Sequence, residues 1–182
     1  MEVQEISIKS KSIHQGFRID EKVLVRIKKE AEKKELSLNK LINQILKDWI
    51  SRDMYFQELG FIPTSKEAIR IWLDKLAEKD LIEEAREFGT NRAREYIMYF
   101  FGDVTIHTLI DFLEILFSRF PAYQHKVHNT KHCFSINHDI STKYSIFFGE
   151  LLKSLIEPIV NSPVKIGNPT PNILNLSFEI VL

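Results

Sequence analysis

Apolar and polar positions change their period several times along this chain, and each change marks an element. Over residues 12–19, Ile13, Phe17 and Ile19 fall on one parity while His14, Gly16 and Arg18 fall on the other. Alternation of this kind predicts a short strand with one apolar and one polar face, with Gln15 on the apolar side. The period then lengthens. Asp20 offers an N-cap, and Val23, Leu24, Ile27 and Ala31 recur at helical spacing to about Glu35. After a break at Leu36, Ser37 caps a second predicted helix. Its Leu38, Leu41, Ile42, Ile45, Leu46 and Trp49 form a wide apolar stripe ending near Arg52.

Further on, Gly60-Phe-Ile-Pro63 reads as a turn, and Thr64-Ser-Lys-Glu67 has the form of a capping box that opens a helix to about Lys79. Residues 80–101 are helix-like throughout, and Thr105 to Phe120 carries Ile106, Leu109, Ile110, Leu113, Leu116 and Phe117 at core spacing before Pro121. From Tyr123 the period becomes two. Tyr123–His128 and Lys131–His138, joined by Asn129-Thr130, predict a hairpin. Ser141 caps a helix to about Val160 whose apolar residues nearly encircle it, which predicts deep burial. Residues 163–166 and 173–182 read as a last strand pair. Phe112-Leu-Glu-Ile-Leu and Phe148-Gly-Glu-Leu-Leu hint at an internal duplication of helix and hairpin. The predicted class is α+β, with residues 1–53 as one domain and residues 54–182 as a helix-rich second domain with an antiparallel sheet.

The unit of about forty residues from 12 to near Arg52 cannot be stable alone. One short strand and two amphipathic helices do not close a core, and an unpaired strand edge invites association. A symmetric dimer solves both problems if two copies of the strand pair antiparallel above four packed helices. His14, Gly16 and Arg18 of each chain would then face outward.

Charge gives that surface a direction. The 182 residues hold 25 Lys+Arg and 25 Asp+Glu, which excludes a polybasic coat or tail. Residues 1–53, however, hold 12 basic residues against 9 acidic ones, whereas the rest of the chain is mildly acidic. Any polyanion contact is therefore expected at the N-terminal domain.

The stretch His14-Gln-Gly-Phe-Arg-Ile-Asp-Glu-Lys-Val-Leu24, continuing through Ala31 and Ser37-Leu-Asn-Lys-Leu-Ile-Asn43 to Trp49, resembles the ribbon-helix-helix DNA-binding repressors, the family of the phage Arc and methionine repressors. The resemblance covers about forty residues without a gap. It implies a two-stranded ribbon in the major groove that reads base edges through Arg18, His14 and Gly16. It also implies a phosphate at the start of the second helix, held at Ser37, Leu38 and Asn39 with Lys40 nearby. Arg18 has the chemistry best suited to readout, since a guanidinium donates twice to guanine. Where that family often carries Gly between its helices, this chain has Glu35-Leu36.

The remaining candidate chemistry lies in the second domain. His125, His128, His132, Cys133 and His138 form a cluster of potential ligands for Zn²⁺, Ni²⁺ or Cu. A nickel-responsive branch of the ribbon-helix-helix repressors uses His and Cys ligands, so a metal-responsive regulator is one alternative. On alternating strands, however, His132 and His138 share a face that Cys133 does not. The simpler reading is a polar hairpin face with a His138-Asp139 pair at a helix start. No phosphate loop, nucleophile elbow or metalloprotease motif occurs, and no enzyme is expected. The single cysteine and the lack of a signal-peptide pattern or a long apolar span lead to an expected cytoplasmic location with no membrane contact.

The sequence thus predicts a homodimeric regulator that binds double-stranded DNA and requires no cofactor. Its second domain would sense a small-molecule or protein effector or extend oligomerisation. An antitoxin or partition-type adaptor holding a protein partner through residues 54–182 is the other alternative.

Overall fold

A computed structural model describes residues 13–181. Ser12, where the predicted strand begins, lies outside the described residues. The chain divides into two compact units between Trp49 and Ile50, a few residues before the predicted boundary at 53.

In the first unit, α1 (Glu21–Lys33) and α2 (Leu38–Asp48) start at the expected caps. Asp20 accepts from the backbone N–H of Lys22 and Val23 at 2.9 and 3.2 Å, and Ser37 Oγ accepts from Lys40 N–H at 3.2 Å. Each cap satisfies amides that a helix start leaves open. The turn between the helices closes as a Schellman motif. Leu36 N–H reaches back to Ala31 O and Glu35 N–H to Glu32 O, with Glu35 in the left-handed region at φ +54°. The helices pack on each other, and Ala31 and Leu41 are their buried side chains. Residues 13–19 form no ladder with any other described residue.

Helical structure does not stop at Arg52 as the pattern predicts. α2 passes into a π-helical turn, Trp49–Asp53, and then into α3 (Met54–Glu58). The second unit continues with α4 (Lys66–Asp74), α5 (Glu78–Thr90), α6 (Arg92–Phe101), α7 (Ile106–Phe117), β1 (Ala122–His128), β2 (Lys131–Asn137), α8 (Thr142–Val160), β3 (Lys165–Ile166) and β4 (Ile173–Glu179).

Three local expectations shift, the first being that α4 stops at Asp74, short of Lys79, which lies in α5. The cap of α4 is Ser65, not Thr64, with Ser65 Oγ accepting from Ala68 N–H at 3.1 Å. One residue later in frame, the reciprocating position is Ala68, so no box forms, and Glu67 pairs with Arg70 instead at 2.7 Å. Residues 80–101 are two helices rather than one. The break is at Asn91, just after Gly89 and Thr90, all weak helix formers.

The antiparallel sheet has strand order β1-β2-β4-β3. α7 precedes the first hairpin and α8 the second, so helix and hairpin occur twice, and the second strand of each hairpin occupies the sheet centre. This is the arrangement at which the Phe112 and Phe148 segments hint. Within this unit the described helices cover one face. Phe134, Ile136, Leu174, Leu176 and Phe178 point from the sheet into a core shared with Leu109, Leu113 and Phe117 of α7 and Leu152, Leu155 and Ile156 of α8. The alternate strand residues form an open polar face.

α8 is as buried as its sequence predicts, because α5 crosses it closely. Gly89 makes that crossing feasible. A Cβ there would lie 2.2 Å from the carbonyl oxygen of Leu151. No helix among the described residues is long and apolar enough to cross a membrane.

Candidate functional site

In the first unit, the three positions implied in base reading, His14, Gly16 and Arg18, are all exposed, and beyond its own chain neighbours nothing lies within 4 Å of where a Gly16 Cβ would stand. At the start of α2, Ser37 engages the amide of Lys40, while the N–H groups of Leu38 and Asn39 belong to the helix turn that has no internal acceptor. The Asn39 side chain accepts from Asn43 Nδ2 at 3.1 Å, and Lys40 is exposed beside it. The result is a helix N-terminus with open donors and a cation close by, which is the chemistry a phosphate oxygen requires.

Apolar residues on this unit are exposed to an unusual degree. Ile13 is 85% and Phe17 61% accessible, and Ile45, Leu46 and Trp49 of the α2 stripe are each close to half exposed. A helix stripe of this kind normally faces a core. Among the described residues these side chains remain uncovered.

The second unit separates the five potential metal ligands rather than gathering them. His125 and His132 meet on the core side of the sheet, with His125 Nε2 2.9 Å from His132 Nδ1. His128 is exposed at the hairpin turn, and Cys133 lies in register with Lys126 and Ser177 on the open face. His138 is fully buried beyond the far end of β2. Among the described residues no group of three or more His, Cys, Asp and Glu side chains is placed to hold a metal ion.

A residue that the sequence reading did not select organises the histidine pair. Glu114, on α7, lies 2.5 Å from His125 Nδ1 through one oxygen and accepts from the Tyr123 hydroxyl at 2.7 Å through the other. That phenol is pushed up to about 12, chiefly because its proton is held on the Glu114 carboxylate and also because of burial and the carboxylate charge. His125 stacks on Phe134, and His132 on Phe178. Burial, and then the adjacent His125, lower the pKa of His132. Glu114 thus anchors the pair through His125, and a proton on His132 is disfavoured.

His138 has a different partner from the expected Asp139. Ile140 N–H donates to its Nδ1 at 3.1 Å, which leaves the proton on Nε2, and Nε2 donates to Ser145 Oγ at 2.7 Å. Ser145 in turn donates to Thr170 O at 2.6 Å. The Ser145 proton is committed to a carbonyl and the residue is inaccessible, so this Ser–His pair is a structural pin and not an activated nucleophile. Burial lowers the His138 pKa, Lys66 adds to the effect, and Asp139 opposes it. Asp139 itself is exposed and lies 3.7 Å from Lys66.

No protein-family model matches the chain, and neither a curated protein nor a solved structure shows significant similarity to it. The functional reading therefore rests on the residues and their geometry.

Proposed function

We propose that this protein is a cytoplasmic, homodimeric, sequence-specific DNA-binding regulator whose N-terminal unit is a ribbon-helix-helix. Residues 13–19 pair with their counterparts in a second copy, and the two α1–α2 pairs pack beneath the ribbon. The observation that carries the reading is the exposure of Ile13 and Phe17 together with Ile45, Leu46 and Trp49 in a single chain. These are the positions that a dimeric core covers, and their parity turns Arg18, His14 and Gly16 outward. The capped start of α2 supplies the phosphate contact at Ser37, Leu38, Asn39 and Lys40. The second unit, a helix-backed sheet with its own core, is the sensing or oligomerising part.

The test is selection from a pool of random duplexes at two salt concentrations, followed by sequencing of the retained fraction. A short repeated or palindromic half-site, lost with Arg18→Ala, is the expected result. Retention without enrichment would reduce the protein to a nonspecific binder.

A second reading, in which residues 54–182 hold a protein partner, draws on α4, where Trp72 is 59% exposed beside a half-exposed Ile71. It predicts that the purified protein associates through α4 and that Trp72→Glu abolishes this without affecting DNA retention.

A further inference from the structure

The face of the sheet turned away from the helices carries a built concavity that neither the histidine pair nor the N-terminal unit explains. It is an open depression of about 400 Å³. One row of side chains crosses all four strands. Lys126 on β1 stands opposite Cys133 on β2, Cys133 opposite Ser177 on β4, and Ser177 opposite Lys165 on β3. The next row adds Ser135 and Asn175, which are also in register. The residues lining the concavity include two lysines and no aspartate or glutamate. Neither ammonium pairs with a carboxylate among the described residues. Glu179, in the neighbouring row, is in register with Lys131, a cation of its own.

We propose that this concavity binds a small organic dianion, one whose charged groups are carboxylates or phosphates. Lys126 and Lys165 are three strand spacings apart, about 14 Å between backbones, and each side chain can lean inward over the floor. Two cations at opposite rims suit a molecule with an anionic group at each end, because each lysine meets one charge and neither is left facing the other. Ser135, Ser177 and Asn175 supply donors and acceptors between them, and the volume is in the range of small-molecule sites. The proposal does not depend on DNA binding by the first unit.

Cys133 is the only cysteine of the chain and lies on that floor, partly accessible, so it reports occupancy directly. The experiment measures the rate at which neutral iodoacetamide alkylates Cys133 in the full chain, in low-salt buffer, with pyrophosphate, with succinate, or with sodium chloride at matched ionic strength. The expected result is a severalfold slowing by pyrophosphate or succinate that saturates. Whichever protects better identifies the phosphate or the carboxylate class. Protection should vanish in Lys126→Gln/Lys165→Gln and persist in Lys126→Arg/Lys165→Arg. Equal slowing by sodium chloride, protection that survives the glutamine pair, or protection by a duplex oligonucleotide but by neither small anion would each overturn the proposal.

Discussion

His138 Nε2 and Ser145 Oγ lie 2.7 Å apart with no access to solvent, and this contact ties the end of β2 to the first turns of α8. Because Ile140 N–H already occupies Nδ1, a second proton on the imidazole would set two donors against each other. Burial disfavours that proton as well, and the folded-state pKa of His138 lies below the ordinary value near 6.5. Between those two values the unfolded chain binds more protons than the folded one, so stability falls as pH falls. Above about pH 6.5 the contribution is fully present. His132, also lowered, acts in the same direction. Urea midpoints should therefore decline from pH 7 to pH 5.5, and His138→Gln, which preserves one donor and one acceptor, should flatten that slope. An unchanged slope in this variant would remove His138 from the account.

Gly89 lies where α5 packs tightly against α8. An alanine there would gain roughly 1 kcal/mol of helix propensity in an open helix. Here its Cβ would meet the carbonyl of Leu151 at 2.2 Å and Ser154 Cβ at 3.1 Å. The obstacle is backbone, which cannot swing aside, and the whole crossing must open. Overpacking of this kind costs about 1–3 kcal/mol, so Gly89→Ala should lower the thermal midpoint despite its better propensity. Gly16→Ala, with nothing near it, should leave the midpoint unchanged. Equal effects in calorimetry would mean that α5 and α8 are not so closely seated.

Glu35 holds a left-handed conformation at φ +54°, at the residue after the C-cap of α1. A side chain there costs on the order of 1 kcal/mol relative to glycine. Glu35→Gly keeps both Schellman hydrogen bonds and removes the clash between Cβ and the backbone. It should stabilise the first unit by up to about 1 kcal/mol, less what glycine adds to the entropy of the unfolded chain. Hydrogen exchange of the α1 and α2 amides would show this as slower exchange, and faster exchange would contradict the geometry of the turn.

What could be read in advance was local. Asp20, Ser37 and Ser141 were legible as caps because each interaction spans three residues or fewer, and the Asn129-Thr130 turn because alternation on both sides fixes its place. Parity alone separates Cys133 from His132. The same parity places His138 with His132, yet six residues of strand separate them by about 20 Å, which alternation does not express. Glu114 was out of reach for another reason. Its contacts with Tyr123 and His125 depend on how α7 lies across the hairpin, and a helix signal contains no such information. The one-residue slip from Thr64 to Ser65 has a simpler cause, since both hydroxyls satisfy the cap pattern and only packing chooses between them.

Arg18 and Lys40 should fail differently when removed, and the difference tests the ribbon assignment. If Arg18 reads a base edge, Arg18→Ala weakens binding by about 1–3 kcal/mol per half-site, and the effect is confined to the preferred sequence. Affinity for unrelated duplex changes far less. If Lys40 stands beside a phosphate at the start of α2, Lys40→Ala weakens all duplexes alike. It also flattens the dependence of log affinity on log salt by about 0.9 for each phosphate that is no longer neutralised. Both substitutions are on exposed residues and should leave the oligomeric state unaltered. Titrations of each variant against the selected site and a scrambled one, at several salt concentrations, separate the two behaviours. Should Arg18→Ala merely flatten the salt slope, with the preference for the selected site intact, the outward face of residues 13–19 would touch only the DNA backbone and the base reader would lie elsewhere.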